Sequence, residues 1–333
     1  VAELGTETVT LVDVQVAAAD PARTDADDRG LVVEQAGIGL IGDPDVEGTV
    51  VRESAHRPVV AGRDPRHREP PGAAATFPAV QPLDVFRLDG QVALVTGASS
   101  GLGARFARVL DAVGARVAIT ARRLDRLEAL AADLTDPVVV ACDATDPEQR
   151  DALVPRVLES AGRLDVLVNN AGRSEPMRAL DEPVDHFRDT LELNLVTPFA
   201  IAQATARAMA ERRIRGRIIN IVSIFALVGI GRVPEASYSA SKGGLLSLTR
   251  ELAAQWSRRD IRVNAIAPGY FPSEMTDGLF ADPRLTDWVA DKTVLRRPGT
   301  ETELDGALLY LASDASSYVT GHVLPVDGGW TAI

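Results

Sequence analysis

From residue 91 to the C-terminus, short runs of apolar residues alternate with longer segments in which apolar residues recur every three or four positions. Short apolar runs predict buried strands, and the longer spacing predicts amphipathic helices. Seven strands are predicted, at residues 91–96, 116–120, 138–141, 166–168, 217–222, 262–267 and 322–325. Helices are predicted at residues 101–113, 123–134, 147–160, 184–213, 237–258 and 301–313. Because strands and helices alternate, we expect an α/β fold with a doubly wound, seven-stranded parallel sheet and helices on both faces.

The first 85 residues follow a different pattern, rich in Asp, Ala, Pro and Gly. Phe77 is the only aromatic residue of this segment, and residues 1–50 carry eleven acidic residues against two arginines. Such a composition buries little apolar surface, so residues 1–85 are expected to be a poorly ordered N-terminal extension. The chain begins with Val, and one hypothesis is that this segment is removed by processing or precedes the natural start. Residues 86–333 are expected to form a single domain that carries all the chemistry.

Composition narrows the range of functions. The net charge of −12 argues against a nucleic-acid partner, because binding phosphates requires clustered Lys and Arg. Cys142 is the only cysteine, so an intrachain disulfide is impossible and the cytoplasm is the expected location. No apolar run reaches the about 20 residues that a membrane-spanning helix needs, and no signal peptide is expected. One cysteine and four scattered histidines supply no clustered ligands, so no metal is expected.

A glycine-rich segment directly follows the first predicted strand and opens a helix. It reads Thr-Gly-Ala-Ser-Ser-Gly-Leu-Gly over residues 96–103, and glycines at such a turn let the backbone approach a pyrophosphate. The amides and dipole of the following helix then stabilise the phosphate charge. A tight strand-to-helix connection is the structural alternative.

Several short motifs follow this loop in a fixed order. They are Asn-Asn-Ala-Gly at 169–172, Tyr-Ser-Ala-Ser-Lys at 238–242, Pro-Gly at 268–269 and Asp-Gly-Gly at 327–329. Together with T-G-x-x-x-G-x-G, they resemble the motifs of the short-chain dehydrogenase/reductase family, from about residue 88 onward. The resemblance implies a Rossmann-type domain that binds both cofactor and substrate, and an oxidoreductase that interconverts a ketone and a secondary alcohol. It implies cofactor contacts from Gly97, Ser99, Ser100, Gly101, Leu102, Gly103, Asn170, Ala171, Gly172, Tyr238, Lys242, Pro268 and Gly269.

Tyr238 and Lys242 are four residues apart on a predicted helix and therefore share a face. A free tyrosine titrates at about pH 10, too high for acid/base work near neutrality. An ammonium about 4 Å away, at an effective dielectric of about 20, contributes about 4 kcal/mol and would lower the pKa by about three. We therefore expect Tyr238 to be the catalytic acid/base and Lys242 to lower its pKa. A solvated helix face is the alternative.

The resemblance assigns two further residues to catalysis. Ser223, after the fifth strand, corresponds to the serine that binds the substrate oxygen, although Ser237 and Ser239 are close in sequence and the segment from Ser223 to Tyr238 is longer than usual. Asn194 corresponds to the asparagine that kinks the long helix and holds a water connected to the active lysine. A turn serine and a satisfied core amide are the respective alternatives.

Cofactor choice is predicted from the end of the second strand. No carboxylate follows that strand, where an acid would bind the ribose of NAD and repel a 2′-phosphate. Arg122 is the first candidate for phosphate binding and Arg123 the second, which favours NADP(H), with NAD(H) as the alternative. The resemblance also places Asp143 and Ala144 near the adenine and Ser273 near the nicotinamide carboxamide; capping of the next helix is the alternative role for Asp143.

The substrate and the assembly are predicted only in outline. The segments 173–180, 224–235 and 270–276 are mostly apolar and suggest a small-molecule ketone or secondary alcohol with a nonpolar part. By resemblance, the helices at 184–213 and 237–258 pair between subunits, so a homotetramer is expected and a dimer is the alternative. The rival function is a catalytically idle NADP(H)-binding regulatory or scaffold protein.

Overall fold

The computed structural model describes residues 82–333, and the extension predicted for residues 1–85 lies almost entirely outside them. Seven strands form one sheet in which every neighbouring pair is parallel, in the order β3-β2-β1-β4-β5-β6-β7. The strands are Val92–Thr96 (β1), Arg116–Ala121 (β2), Val138–Ala141 (β3), Val166–Asn169 (β4), Arg217–Ile221 (β5), Arg262–Pro268 (β6) and Val323–Val326 (β7). The predicted doubly wound parallel sheet is confirmed, with each strand within two residues of its expected ends.

Nine α-helices connect or follow the strands in the described part of the chain. They are Gly101–Ala112 (α1), Leu124–Ala131 (α2), Pro147–Ala161 (α3), Val184–Leu191 (α4), Thr197–Glu211 (α5), Ala236–Trp256 (α6), Asp277–Phe280 (α7), Pro283–Lys292 (α8) and Asp305–Ala312 (α9). None of these helices is both long and apolar enough to span a lipid bilayer.

The core has two halves, one on each face of the sheet. Successive residues of a strand point to opposite faces, so in β1 Ala93 and Val95 pack with α1, α2 and α9, while Val92 and Leu94 pack with α3, α5 and α6. All five residues of β1 are buried. Strands covered on both faces need continuous apolar runs, which is why the sequence pattern was so clear here.

Three local features differ from the predicted elements, and one of them is the short helix α7, which was not predicted. The single long helix predicted at 184–213 is α4 and α5 joined by a π-helical segment, Glu192–Val196. Helix α8 was not predicted, although Asp282 accepts a hydrogen bond from the amide of Arg284 and Pro283 occupies the first turn. Asp before Pro is a recognised helix start, so this signal was present in the sequence.

The order of the strands fixes where a ligand can bind. The chain runs outward from β1 to β3 on one side and from β4 to β7 on the other. Ligands of open α/β sheets bind at such a switch point, beside the carboxyl ends of the strands. The loops that follow β1, β4 and β5 carry the glycine-rich segment, the Asn-Asn-Ala-Gly motif and Ser223, so the topology brings these motifs to one edge.

Candidate active site

The glycine-rich loop packs against the end of β4 too closely for side chains. A Cβ on Gly97 would lie 2.8 Å from the Ala171 Cα, and Gly97 has a positive φ of 67°. A Cβ on Gly103 would lie 2.3 Å from the Gly97 carbonyl oxygen. Since neither neighbour is a flexible side-chain end, the loop requires glycine at both positions.

Asn170 fixes the shape of this loop. Its Nδ2 donates to the carbonyl oxygens of Thr96 (3.0 Å) and Gly97 (3.2 Å). The Thr96 hydroxyl oxygen accepts hydrogen bonds from the amides of Asn170 and Ala171, both at 3.0 Å. The Asn-Asn-Ala-Gly motif therefore ties β4 to the turn after β1.

A cleft of about 520 Å³ opens beside the loop, and its chemistry suits a dinucleotide phosphate. Helix α1 begins at Gly101 without a side-chain cap, so its first-turn amides are available to an anion. Fourteen residues expected to bind the cofactor line this cleft: Gly97, Ser99, Ser100, Gly101, Leu102, Gly103, Arg122, Arg123, Asp143, Ala144, Asn170, Ala171, Gly172 and Ser273. The residues present thus fit the predicted cofactor.

The two arginine candidates differ in their contacts. Arg123 Nη2 donates to the hydroxyls of Ser99 (3.0 Å) and Ser100 (2.9 Å) and to Glu274 Oε2 (2.9 Å). Glu274, from the segment after β6, also accepts a hydrogen bond from Ser100, and these two donors lower its pKa. Arg122 lines the cleft but makes no hydrogen bond to any described side chain. The structure therefore brings the second candidate, not the first, to the glycine-rich loop.

Asp143 does not cap a helix. Its Oδ1 accepts hydrogen bonds from the amide (3.0 Å) and the hydroxyl (2.7 Å) of Thr145, which closes a turn at the cleft wall. Asp146 caps α3, accepting from the amides of Glu148 and Gln149. The capping alternative for Asp143 is therefore wrong, and its carboxyl remains at the cleft. The neighbouring Ala144 carbonyl accepts a hydrogen bond from Thr197.

Ser223, Tyr238 and Lys242 line a second cavity of about 470 Å³, together with Pro268 and Gly269. This cavity shares the residues Leu102, Asn170, Gly172, Ser174, Ser273 and Met275 with the first. Ser223 begins the turn after β5, and its hydroxyl lies close enough to the Tyr238 phenol to lower the pKa of that phenol. Neither Ser237 nor Ser239 lines the cavity. The serine, the phenol and the ammonium thus meet beside the dinucleotide cleft.

The electrostatics of this cluster differ from the sequence expectation. Burial raises the pKa of Tyr238 to about 12, and the nearby Ser223 hydroxyl only partly offsets this increase. Burial also lowers the pKa of Lys242 to about 8. The Lys242 Nζ donates to the Ile221 carbonyl oxygen (2.8 Å) and lies 5.7 Å from the centre of the Tyr238 ring. In the protein alone, the cost of desolvation outweighs the attraction between the phenolate and the ammonium that we had expected to dominate.

Asn194 is completely buried in the π-helical segment. Its Oδ1 accepts from the Arg173 amide (2.9 Å), and its Nδ2 donates to the Arg173 carbonyl (2.9 Å) and the Ser241 hydroxyl (3.1 Å). A Cβ added to Gly172 would lie 3.1 Å from Asn194 Oδ1 and 3.4 Å from Lys242 Nζ. The asparagine and the lysine therefore face one space that exists because residue 172 is glycine.

An aromatic wall of Phe225, Tyr270 and Phe271 lines the cavity, and the Phe225 ring packs against that of Tyr238 at a centroid distance of 5.5 Å. Tyr270 contacts the rings of Phe225, Trp288 and Trp330 at centroid distances of 6.5, 5.9 and 5.1 Å. Ser273 lines both cavities, and its hydroxyl lies 3.1 Å from the Thr276 hydroxyl. Three polar residues at this wall or at the cleft had no role in the sequence analysis: Glu235, Tyr270 and Glu274. No local motif marks them, because their relation to the site depends on how distant loops fold together.

Within residues 82–333, no group of three or more His, Cys, Asp or Glu side chains is arranged to hold a metal ion.

Comparison with known proteins agrees with this geometry. A family model described as enoyl-(acyl carrier protein) reductase matches residues 97–331. Gluconate 5-dehydrogenase of Gluconobacter oxydans is 38% identical over 254 residues, which cover 74% of this chain and 97% of that protein. Galactitol 2-dehydrogenase (L-tagatose-forming) of Cereibacter sphaeroides is 39% identical over 249 residues, 74% of this chain and 97% of that protein.

Solved structures extend the likeness to the fold. A gluconate 5-dehydrogenase from Burkholderia cenocepacia, crystallised with NADP and tartrate, superposes with a TM-score of 0.72 at 35% identity, covering 75% of this chain and 99% of that one. A short-chain type dehydrogenase/reductase from Mycobacterium marinum gives a TM-score of 0.72 at 34% identity, with the same coverage. The chain belongs to the short-chain dehydrogenase/reductase family.

Proposed function

We propose that this protein is an NADP(H)-dependent oxidoreductase that interconverts a ketone and a secondary alcohol, with Tyr238 as the acid/base. The observation that carries the proposal is the meeting of Ser223, Tyr238 and Lys242 in a cavity that shares walls with a cleft suited to a dinucleotide. A protein that only binds NADP(H) has no need of a phenol and a serine hydroxyl facing the second cavity.

Different side chains bind the substrate oxygen, transfer its proton and adjust the pKa of the phenol. Ser223 donates a hydrogen bond to that oxygen and keeps it beside Tyr238, which gives its proton in reduction and takes one in oxidation. Bound NADP(H) supplies or accepts the hydride and, when oxidised, adds positive charge near the phenol. Lys242 supplies a further positive charge to favour the phenolate. Asn194 faces the same space as Lys242, where a water would return the proton to the site.

Lowering the phenol pKa is the main electrostatic task of the holoenzyme. The protein alone raises the pKa of Tyr238 to about 12 by burial. Catalysis near neutrality therefore depends on positive charge brought to the phenol, by Lys242 and by the oxidised cofactor together. This dependence couples acid/base activity to cofactor binding.

NADP(H) is the favoured cofactor, with NAD(H) as the alternative. No carboxylate directly follows β2 in the sequence, and Arg122 and Arg123, which do follow it, line the cleft. Arg123 already holds two hydroxyls of the glycine-rich loop and a carboxylate, so it is placed to bind an anion.

Polyhydroxylated compounds are the first substrates to test. The curated relatives act on gluconate and galactitol, and the cavity of this chain combines apolar walls with Ser174, Glu235 and the Tyr270 ring. The nonpolar part expected from the sequence fits against the aromatic wall, and the polar residues serve hydroxyl groups.

A panel of 5-ketogluconate, L-tagatose, cyclohexanone and a crotonyl thioester, assayed by NADPH and NADH oxidation, tests the proposal. We expect reduction of at least one ketone with NADPH preferred. Cofactor binding without any ketone turnover would favour the idle NADP(H)-binding protein instead. Reduction of the thioester double bond alone would contradict the assigned chemistry.

We also propose a cytoplasmic homotetramer, with a dimer as the alternative. Val196 and Phe199 leave apolar surface exposed along the helical run from the π-helical segment into α5, which pairing between subunits would cover. The only cysteine, Cys142, is free and buried, as suits a reducing compartment. Light scattering would measure the mass of the assembly, and a monomer would contradict the proposal.

A further inference from the structure

The hydroxyl of Tyr270 is a buried polar group without a partner. The residue is 7% exposed, and its hydroxyl oxygen makes no hydrogen bond within the described part of the chain. Buried polar groups are nearly always hydrogen-bonded, and leaving one unpaired costs free energy. Because Tyr270 lines the same cavity as Ser223 and Tyr238, a group bound in that cavity is the natural partner.

The Tyr270 ring cannot turn to find another partner. Phe225, Trp288 and Trp330 pack around it, and its carbonyl oxygen accepts a hydrogen bond from the Gly299 amide at 2.9 Å. Gly299 itself lies so close to Phe271 that a Cβ there would approach the Phe271 ring to 2.3 Å. Rigid packing of this kind fixes a donor in place before the ligand arrives.

Glu235 is a second polar group at the same wall. It is 8% exposed, and its Oε1 accepts a short hydrogen bond from the Ser174 hydroxyl. Its Oε2 has no hydrogen-bond partner among residues 82–333, and burial raises the pKa of its carboxyl. Glu235 lines the same cavity as Tyr238 and Tyr270, and its charge raises the pKa of both phenols.

Glu235 and Tyr270 both line the cavity, and no hydrogen bond joins them. One carboxyl oxygen offers an acceptor, and the phenol offers a donor. A hydroxyl group is the small group that donates to one and accepts from the other. A carbonyl or an alkyl group cannot satisfy both.

We propose that Glu235 and Tyr270 form a specificity subsite for a second hydroxyl group of the substrate, on a carbon next to the one that reacts. The substrate class is then the α-hydroxy ketones and the corresponding vicinal diols. The substrate hydroxyl donates to Glu235 Oε2 and accepts from the Tyr270 hydroxyl, while Ser223 and Tyr238 hold the reacting oxygen. This inference rests on the proposed function, because it assigns selectivity to the same reaction.

The test compares 2-hydroxycyclohexanone with cyclohexanone, which differ only by the second hydroxyl. We expect the wild-type enzyme to prefer the hydroxyketone in kcat/KM by at least about tenfold, the effect of one well-placed buried hydrogen bond and part of a second. Tyr270→Phe removes the donor without changing the ring, and Glu235→Gln removes the charge while keeping the shape. Each is expected to lower kcat/KM for the hydroxyketone about five- to tenfold relative to kcat/KM for cyclohexanone.

Tyr318→Phe is the matched control, because this tyrosine is fully exposed and does not line the cavity. Calorimetric binding of 1,2-cyclohexanediol and cyclohexanol, with NADP(H) present, provides a readout that needs no turnover. Tighter binding of the diol, lost in Tyr270→Phe, would support the subsite even if no ketone were reduced, in which case the proposed function alone would fail. Turnover of both ketones with equal efficiency, or equal losses for both in the variants, would overturn the subsite and leave the proposed function standing.

Discussion

Replacing Arg123 with alanine should weaken NADPH binding far more than NADH binding. The guanidinium holds Ser99, Ser100 and Glu274 at the cleft wall where the adenosine ribose is expected. A charge-assisted hydrogen bond to a phosphate contributes about 1.5–3 kcal/mol. Arg123 and Glu274 are 44% and 49% exposed, so the lower part of that range applies, and breaking their ion pair to admit a phosphate costs about 0.5 kcal/mol.

The net loss for the 2′-phosphate is therefore about 1–2 kcal/mol, which corresponds to a dissociation constant about 5–30 times larger. The dissociation constants are measured by fluorescence titration of NADPH and NADH into wild type, Arg123→Ala and the control Arg122→Ala. We expect NADH affinity to change less than twofold in Arg123→Ala, and Arg122→Ala to weaken NADPH less than Arg123→Ala does. Equal weakening of both cofactors, or a larger effect at Arg122, would refute the assignment of Arg123 to the phosphate.

Three further substitutions have definite expected outcomes. Glu274→Gln removes the anion that competes for Arg123, so NADPH should bind about two- to fivefold more tightly, while unchanged affinity in titration would contradict that competition. Gly103→Ala places a Cβ 2.3 Å from the Gly97 carbonyl oxygen and should abolish cofactor binding. The control Gly306→Ala, at a residue of α9 with open space around it, should bind the cofactor normally. Retained binding in Gly103→Ala would show that the loop can relax. Lys242→Met should stop turnover, yet it should stabilise the protein without cofactor by about 2 kcal/mol at pH 7. Burying the ammonium costs about 3 kcal/mol of folding free energy, and its hydrogen bond to the Ile221 carbonyl contributes about 1 kcal/mol in the opposite direction. The lysine pKa is lower in the folded than in the unfolded protein, so this stability difference should shrink as the pH rises from about 8 toward 10.5, and a difference that grows in thermal unfolding would contradict the sign.

The strands and the motif order could be predicted from the sequence for a clear physical reason. Parallel strands buried on both faces need unbroken apolar runs, and β1 has five buried residues in succession. The glycine-rich loop was equally clear because Gly97 and Gly103 are required by local geometry. Most of the cofactor-lining residues were implied by the family resemblance, and the topology explains why their loops meet at one edge of the sheet.

Features that depend on tertiary packing could not be predicted in the same way. The contact of Arg123 with Glu274 joins residues 151 positions apart, and no motif marks either partner. The direction of the Tyr238 pKa was wrong because the spacing of Tyr238 and Lys242 indicates proximity and says nothing of burial. The Tyr270 hydroxyl is unusual only because three distant aromatic rings hold it in place.

The π-helical segment lies between these two cases. Asn194 was expected to disturb the long helix, because asparagine competes for backbone groups in helix interiors. The structure has a π-helix at Glu192–Val196, and the Asn194 amide bonds across to the Arg173 backbone. An asparagine at this position predicted an irregular helix, and the structure identifies the backbone groups to which its amide hydrogen-bonds.

Single-turnover reduction by Tyr238→Phe, measured beside its NADPH affinity, tests the central assignment most directly. The phenol is the only proposed proton donor to the substrate oxygen, so we expect turnover to fall at least about 10³-fold while the NADPH dissociation constant changes less than threefold. Ketone reduction near the wild-type rate, with NADPH bound normally, would show that the proton comes from another group.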